Sequence, residues 1–99
     1  MELTAKQKKH LKKLAHPLPA LVQIGKGGIS PQVVKEIDRI LNEHELIKVK
    51  ISALDKEDFQ SLTAELVEKS DANFIHSIGR TVILYRQASD SDKHRIKII

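Results

Sequence analysis

Residues Gly25-Lys26-Gly27-Gly28 constrain the fold of this chain more than any other stretch. They follow the apolar run Ala20-Leu21-Val22-Gln23-Ile24. They precede Ile29-Ser30-Pro31, which reads as a helix start, with Ser30 suited to the N-cap and Pro31 to the first helical position. A glycine-rich loop therefore joins a strand to a helix, with Lys26 at its tip. Glycine tolerates positive φ and lets a partner approach the backbone closely. The helix that follows points free N–H groups and the positive end of its dipole toward the same place. Such a site suits a polyanion; an ordinary tight turn is the competing reading.

Around this loop the elements follow from local signals. Thr4 can cap a helix over 4–15, on which Leu11, Leu14 and Leu18 lie on or near one face beside Ala15. Lys9, Lys12, Lys13 and His16 share the opposite stripe, and Lys6 and Lys8 add to it. Like charges at these spacings destabilise an isolated helix, which favours an anion-facing role over a merely solvated face. His16-Pro17-Leu18-Pro19 ends the helix, because proline pushes the residue before it out of the α region. Leu21–Ile24 is the first strand, and the helix that starts at Ser30 runs to about Glu43. Leu46–Ile51 alternates with period two, Ile47, Val49 and Ile51 against Lys48 and Lys50. That pattern predicts a sheet with helices on one face and an open face carrying Lys48 and Lys50. Asp55 caps a third helix to about Ser70, and Phe74–Ile78 is the third strand. Gly79-Arg80 suits a type II′ hairpin into a well-buried strand over Thr81–Arg86. The order is α-β-α-β-α-β-β: an α/β fold with a four-stranded mixed sheet, its first pair parallel and its last antiparallel. Residues 1–86 form the domain, and 87–99 read as a polar linker and flexible basic tail, with an added strand or an outside contact as the minor reading.

The 99 residues suffice for one domain with a modest core. No apolar run approaches the ~20 residues of a membrane span, and no apolar signal core follows the basic N-terminus. There is no cysteine, which excludes disulfides and thiolate chemistry and is compatible with a cytoplasmic location. The net charge is +4, of which residues 1–28 contribute +5 and residues 71–99 contribute +2. If the fold joins these two ends they make one basic face, the footprint of nucleic-acid binding. Charge alone supports equally a protein with a basic N-terminal helix and nothing more.

No catalytic or metal pattern emerges. His10, His16, His44, His76 and His94 share no metal-site spacing, so neither a metal nor a cofactor is expected, nor a small-molecule substrate. An RNA-modifying enzyme would have His76 as its first acid–base candidate. The loop lacks the longer spacing and the Lys-Ser/Thr ending of a P-loop, and it is not the dinucleotide fingerprint G-x-G-x-x-G. It matches G-x-x-G, which in KH domains clamps a nucleic-acid backbone. Phe59 and Phe74 are assigned to the core and Tyr85 is the one other aromatic, so base stacking has little support. Backbone recognition by lysines and amides is the better mechanism.

Three ordered motifs carry a family resemblance: Leu21 through Pro31, Leu46-Ile47-Lys48-Val49-Lys50, and Ile78 through Arg86. Together they resemble the CRM domain (chloroplast RNA splicing and ribosome maturation), in the stand-alone bacterial form known as the YhbY family, over about residues 2–86. The resemblance implies a fold like the C-terminal domain of a bacterial translation initiation factor. It also implies an RNA-binding protein, not an enzyme, that associates with rRNA or pre-rRNA in pre-50S ribosomal particles. The family's RNA-contacting loop maps onto Gly25, Lys26, Gly27 and Gly28; Gly27 stands where many members carry Asn, and both tolerate positive φ. The expected contacts are the loop with Ser30, then Lys6, Lys9, Lys12, Lys13 and His16, with Lys48, Lys50, Arg80 and Arg86 as second-rank candidates on the sheet. A ribosome-associated protein-docking adaptor, whose basic face only steers, is the alternative.

Overall fold

The computed structural model describes residues 2–89 together with Ile96. The elements run α1 (Ala5–Ala15), β1 (Ala20–Ile24), α2 (Pro31–His44), β2 (Leu46–Ile51), α3 (Lys56–Ser70), β3 (Asn73–Ile78) and β4 (Thr81–Tyr85). Each helix begins where its capping residue places it. The Thr4 hydroxyl accepts from the Gln7 amide while the Gln7 side chain accepts from the Thr4 amide, a complete capping box. Ser30 Oγ accepts from the Val33 amide, and Asp55 Oδ1 from the Asp58 amide.

The sheet order is β1-β2-β4-β3, with β1 parallel to β2 and the other pairs antiparallel. A two-residue link joins β3 to β4, and Gly79 takes the positive φ of 58° expected at the first central position of a type II′ turn. β4, the most continuously apolar strand, is central, and Val82 through Tyr85 are buried.

Val22 and Ile24 of β1, Ile47, Val49 and Ile51 of β2, and Val82 and Leu84 of β4 point to one face. There they pack against Ile37, Ile40 and Leu41 of α2 and Phe59 and Leu66 of α3. The opposite face departs from the expectation of an open side. Leu46, Ile75, Ile83 and Tyr85 form a second cluster under Leu11 and Ala15 of α1. The i, i+4 pair on α1 needs an apolar partner, and the second set of alternating positions on β4 supplies it. Leu14 and Leu18, expected on the buried face, are 40% and 37% exposed. Leu3 takes their place against the cluster, together with Ile96.

Glu45 alone links α2 to β2, and the sharp reversal puts it at φ 65°. Its amide donates to the Leu41 carbonyl and its carbonyl accepts from the Arg86 amide. Its carboxylate is fully buried and accepts from the Ala88 amide at 2.7 Å and the Ile96 amide at 3.0 Å. A buried charge is tolerable when hydrogen bonds replace its hydration. Within the segment 87–99 expected to be a linker and tail, Ala88 is buried and Ile96 packs against the cluster under α1. Residues 90–95 and 97–99 lie outside the described residues.

Tyr85 is fully buried beside this carboxylate, and among the described residues nothing pairs with its hydroxyl. Burial, and then the charge of Glu45, push its pKa from 10.0 up to about 12. Folding therefore favours the protonated phenol. This contribution to stability is complete below pH 10 and is lost as pH rises through about 12. Tyr85 is the only tyrosine, so tyrosinate absorbance reports it without ambiguity. A pH titration is expected to show ionisation near 12 in the folded protein and near 10 in denaturant, with unfolding by urea easing across that window.

Candidate functional site

The glycine loop closes on itself. The Gly28 amide donates to the Gly25 carbonyl at 3.1 Å, and Gly28 takes φ 72°. This turn leaves Lys26 and Gly27 at its exposed tip. The bond removes the Gly28 amide from the expected anion cradle. At the start of α2, Pro31 has no N–H and Val33 donates to Ser30. Ser30 therefore serves as a cap. Among the described residues nothing accepts from the amides of Lys26, Gly27 and Gln32, which are among the donors left to meet a ligand.

Two further bonds bring other segments to the loop. The Ser52 amide donates to the Ile24 carbonyl and the Ile51 amide to the Arg80 carbonyl, both at 2.9 Å. The end of β1, the exit of β2 and the β3–β4 turn are thus stitched together. A cavity of about 590 Å³ lies between them, lined by Gly25, Lys26, Gly28, Lys50, Leu54 and Arg80 among others. Its one acid, Asp58, is engaged in capping α3, accepting from the Leu54 amide at 2.8 Å.

The other predicted cations sit on α1. Lys6, Lys9, Lys12, Lys13 and His16 are all exposed. Lys12 and Lys13 also lie in the last turn, where positive charge suits the helix dipole. Lys48 links the two groups. Its ammonium donates to the His16 carbonyl at 3.0 Å, fixing the C-terminal end of α1 over the middle of β2. Lys50 follows two residues on, about 7 Å along the strand toward the loop. Among the described residues the ion pairs engage Arg39 with Glu43, Lys69 with Glu65, and Arg86 with Asp38; none involves α1, Lys26, Lys48, Lys50 or Arg80.

Arg86 does not join this group. It lies beyond the opposite end of β4 from Arg80 and is 17% exposed. Its guanidinium donates to the carbonyls of Ser70 and Asp38 and pairs with the Asp38 carboxylate at 2.8 Å, tying α2, α3 and β4 together. Its placement at the sheet surface is corrected to a tie between helices. His76, the one acid–base candidate, sits opposite Ile83 on the half-buried α1 face, outside the loop cavity.

Sequence reasoning missed several exposed apolar residues near the cations. Leu54 is 93% exposed at the cavity rim. It precedes the N-cap of α3 with Phe59 at N4, the spacing of a hydrophobic staple, yet its exposure shows that no staple is made. Ile78 and Leu21 are about half exposed. Alternation could have placed them opposite the main core, but not beyond the reach of α1.

A mixed α/β sheet with a glycine turn at a strand–helix junction and unpaired cations along one side defines a compact polyanion-compatible domain. The chain belongs to the CRS1 / YhbY (CRM) domain family, whose profile matches residues 3–86. It is 35% identical over 94 residues to a Pseudomonas aeruginosa protein named a probable RNA-binding protein, covering 95% of this chain and 90% of that one. It is 39% identical over 89 residues to an RNA-binding protein of Haemophilus influenzae, covering 90% of each. The solution structure of a hypothetical Staphylococcus aureus protein, a candidate RNA binder, superposes with a TM-score of 0.79 at 34% identity, over 97% of this chain and 100% of that one.

The loop glycines separate by role. A Cβ at Gly27 meets nothing within 4 Å and its φ lies outside the left-handed region, whereas Gly28 sits at φ 72°. Gly27→Ala is expected to change unfolding free energy by less than about 0.5 kcal/mol, and Gly28→Ala to cost about 1–2 kcal/mol, as read by urea denaturation.

Proposed function

We propose that this chain binds RNA, that its target is ribosomal RNA or its precursor, and that it assists assembly of the large (50S) ribosomal subunit in the cytoplasm. It acts by binding and performs no chemistry of its own. Family membership and the names of its relatives support RNA as the ligand. The observation that carries the mechanism is the Lys48–His16 bond, which makes the cations of α1 continuous with those around the glycine loop. Lys26 meets a phosphate directly, with the amides of Lys26 and Gly27 beside it. Lys50 and Arg80 hold the same stretch of backbone, and Lys13, Lys12, Lys9 and Lys6 follow it along α1. Gly27, which neither φ nor packing requires, lets the ribose-phosphate chain approach closely.

A second reading has one observation in its favour. Leu18 and Ile78 are exposed on the same face as Lys48 and Thr81, an apolar patch inside the basic side. Such a patch suits docking on a ribosomal protein, with the cations steering the approach.

A binder of about six phosphates is expected to show a log–log salt slope of roughly −4 to −5 against structured rRNA fragments, at ~0.7–0.9 per phosphate. Lys26→Glu is expected to weaken binding and flatten that slope by about one. Affinity indifferent to salt would sink the mechanism. Loss of pre-50S binding by Lys26→Glu with unchanged binding to naked RNA would instead favour the docking adaptor. Crosslinking in cell extract, with sequencing of the bound RNA, tests the target; enrichment of rRNA precursor segments is expected.

A further inference from the structure

Next to the loop cavity lies a second and larger concavity of about 860 Å³, a groove between α3 and the edge strand β3. This volume is in the range of small-molecule sites. Phe59, Val67 and Phe74 make its apolar floor and walls, and Gln60 and Ser77 contribute polar groups. Phe74, which the sequence places in the core, is 39% exposed. It lies opposite Leu84 and so points to the α3 side of the sheet. Because β3 is the edge strand, no further strand of the sheet covers its ring. Arg80 borders both concavities and is held 5.3 Å above the Phe59 ring.

Charge orients the groove. Lys56 and Arg80 stand at the end nearest the glycine loop, and Glu68 stands three turns further along α3. A polyanionic chain is attracted at the first end and repelled at the second. A nucleotide whose phosphate rests at Arg80 can therefore direct its base, but not its backbone, into the groove. A clamp that read backbone alone would need no exposed aromatic beside it.

We propose that the α3–β3 groove receives an unpaired nucleobase of the bound RNA, stacked on Phe74, while Arg80 holds the phosphate between groove and glycine loop. This rests on the RNA-binding reading above and narrows its substrate to single-stranded or bulged RNA, since the bases of an A-form duplex are not free to enter. Gln60 offers both a donor and an acceptor to the edge of the base.

The test compares a short single-stranded oligoribonucleotide with a hairpin duplex of the same composition, by fluorescence anisotropy at fixed salt. Phe74→Ala is expected to weaken single-strand binding roughly 5- to 150-fold, the factor carried by base–aromatic stacking, and to leave duplex binding within about twofold. Phe74→Tyr keeps the stacking surface and should restore single-strand affinity. Ala64→Phe fills the groove from an exposed helix position and should mimic Phe74→Ala, which decides the matter if the latter fails to fold. A 2-aminopurine in the oligonucleotide should be quenched by the unaltered protein and not by Phe74→Ala. If Ala64→Phe, with Phe74→Ala wherever it folds, binds the single strand like the unaltered protein, the base site is overturned; lost binding to pre-50S particles would then assign the groove to a protein partner. If the unaltered protein binds neither RNA and Lys26→Glu changes nothing, it is the RNA-binding reading itself that has failed.

Discussion

An eleven-residue helix is too small to cover a four-stranded sheet. At ~1.5 Å per residue and a diameter of ~10 Å, α1 shields a patch about 16 Å by 10 Å. The sheet, with strands ~4.8 Å apart and up to ~20 Å long, offers roughly 14 Å by 20 Å on that side. The apolar residues decide which part is shielded. Leu11 and Ala15 sit over Leu46, Ile83 and Tyr85, and the half that carries Lys50, Thr81 and Ile78 stays open. The opposite face needs two longer helices and receives them. The basic surface is therefore a by-product of unequal coverage: α1 ends where its apolar stripe ends, and the Lys48–His16 bond pins that end beside the open half.

The distribution of charge follows the same division. Asp38 and Glu43 of α2 and Glu65 of α3 find partners on their own helices or in Arg86. The lysines of α1 have none among the described residues, and their mutual repulsion costs each i, i+4 pair about 0.2–0.5 kcal/mol. The capping box at Thr4 and the burial of Leu11 and Ala15 offset this. The helix is thus held by its ends and its inner face, and its outer face is free to carry charge of one sign.

The features legible in the sequence were the local ones. Thr4, Ser30 and Asp55 marked the helix starts because a cap is a contact across three residues. Gly79-Arg80 marked the hairpin because the turn needs positive φ at its first centre. The features that escaped depend on distant partners. Arg86 looked like a surface cation because nothing near it in sequence hints at the carbonyls of Asp38 and Ser70. Phe74 looked like core because an apolar residue alternating in a strand is usually covered on a central strand, and β3 is an edge. The Gly28 amide looked available because a glycine triplet does not say which of its members closes the turn.

Docking of α1 also sets an order in time. Leu11 meets partners at Leu46, Ile75, Ile83, Tyr85 and Ile96, which lie 35 to 85 residues further along the chain. Contacts of such separation form late, after the loop-closure cost has been met by other pairings. On a ribosome adding ~5–20 residues per second, the 70 residues between the ends of α1 and β4 take roughly 4–14 s to make. For that interval the lysines of residues 5–15 are present without the sheet that aligns them with the glycine loop. Alignment of those lysines with the loop waits on β4 at the centre of the sheet, so a nascent chain carries the charge of α1 before that charge has its place.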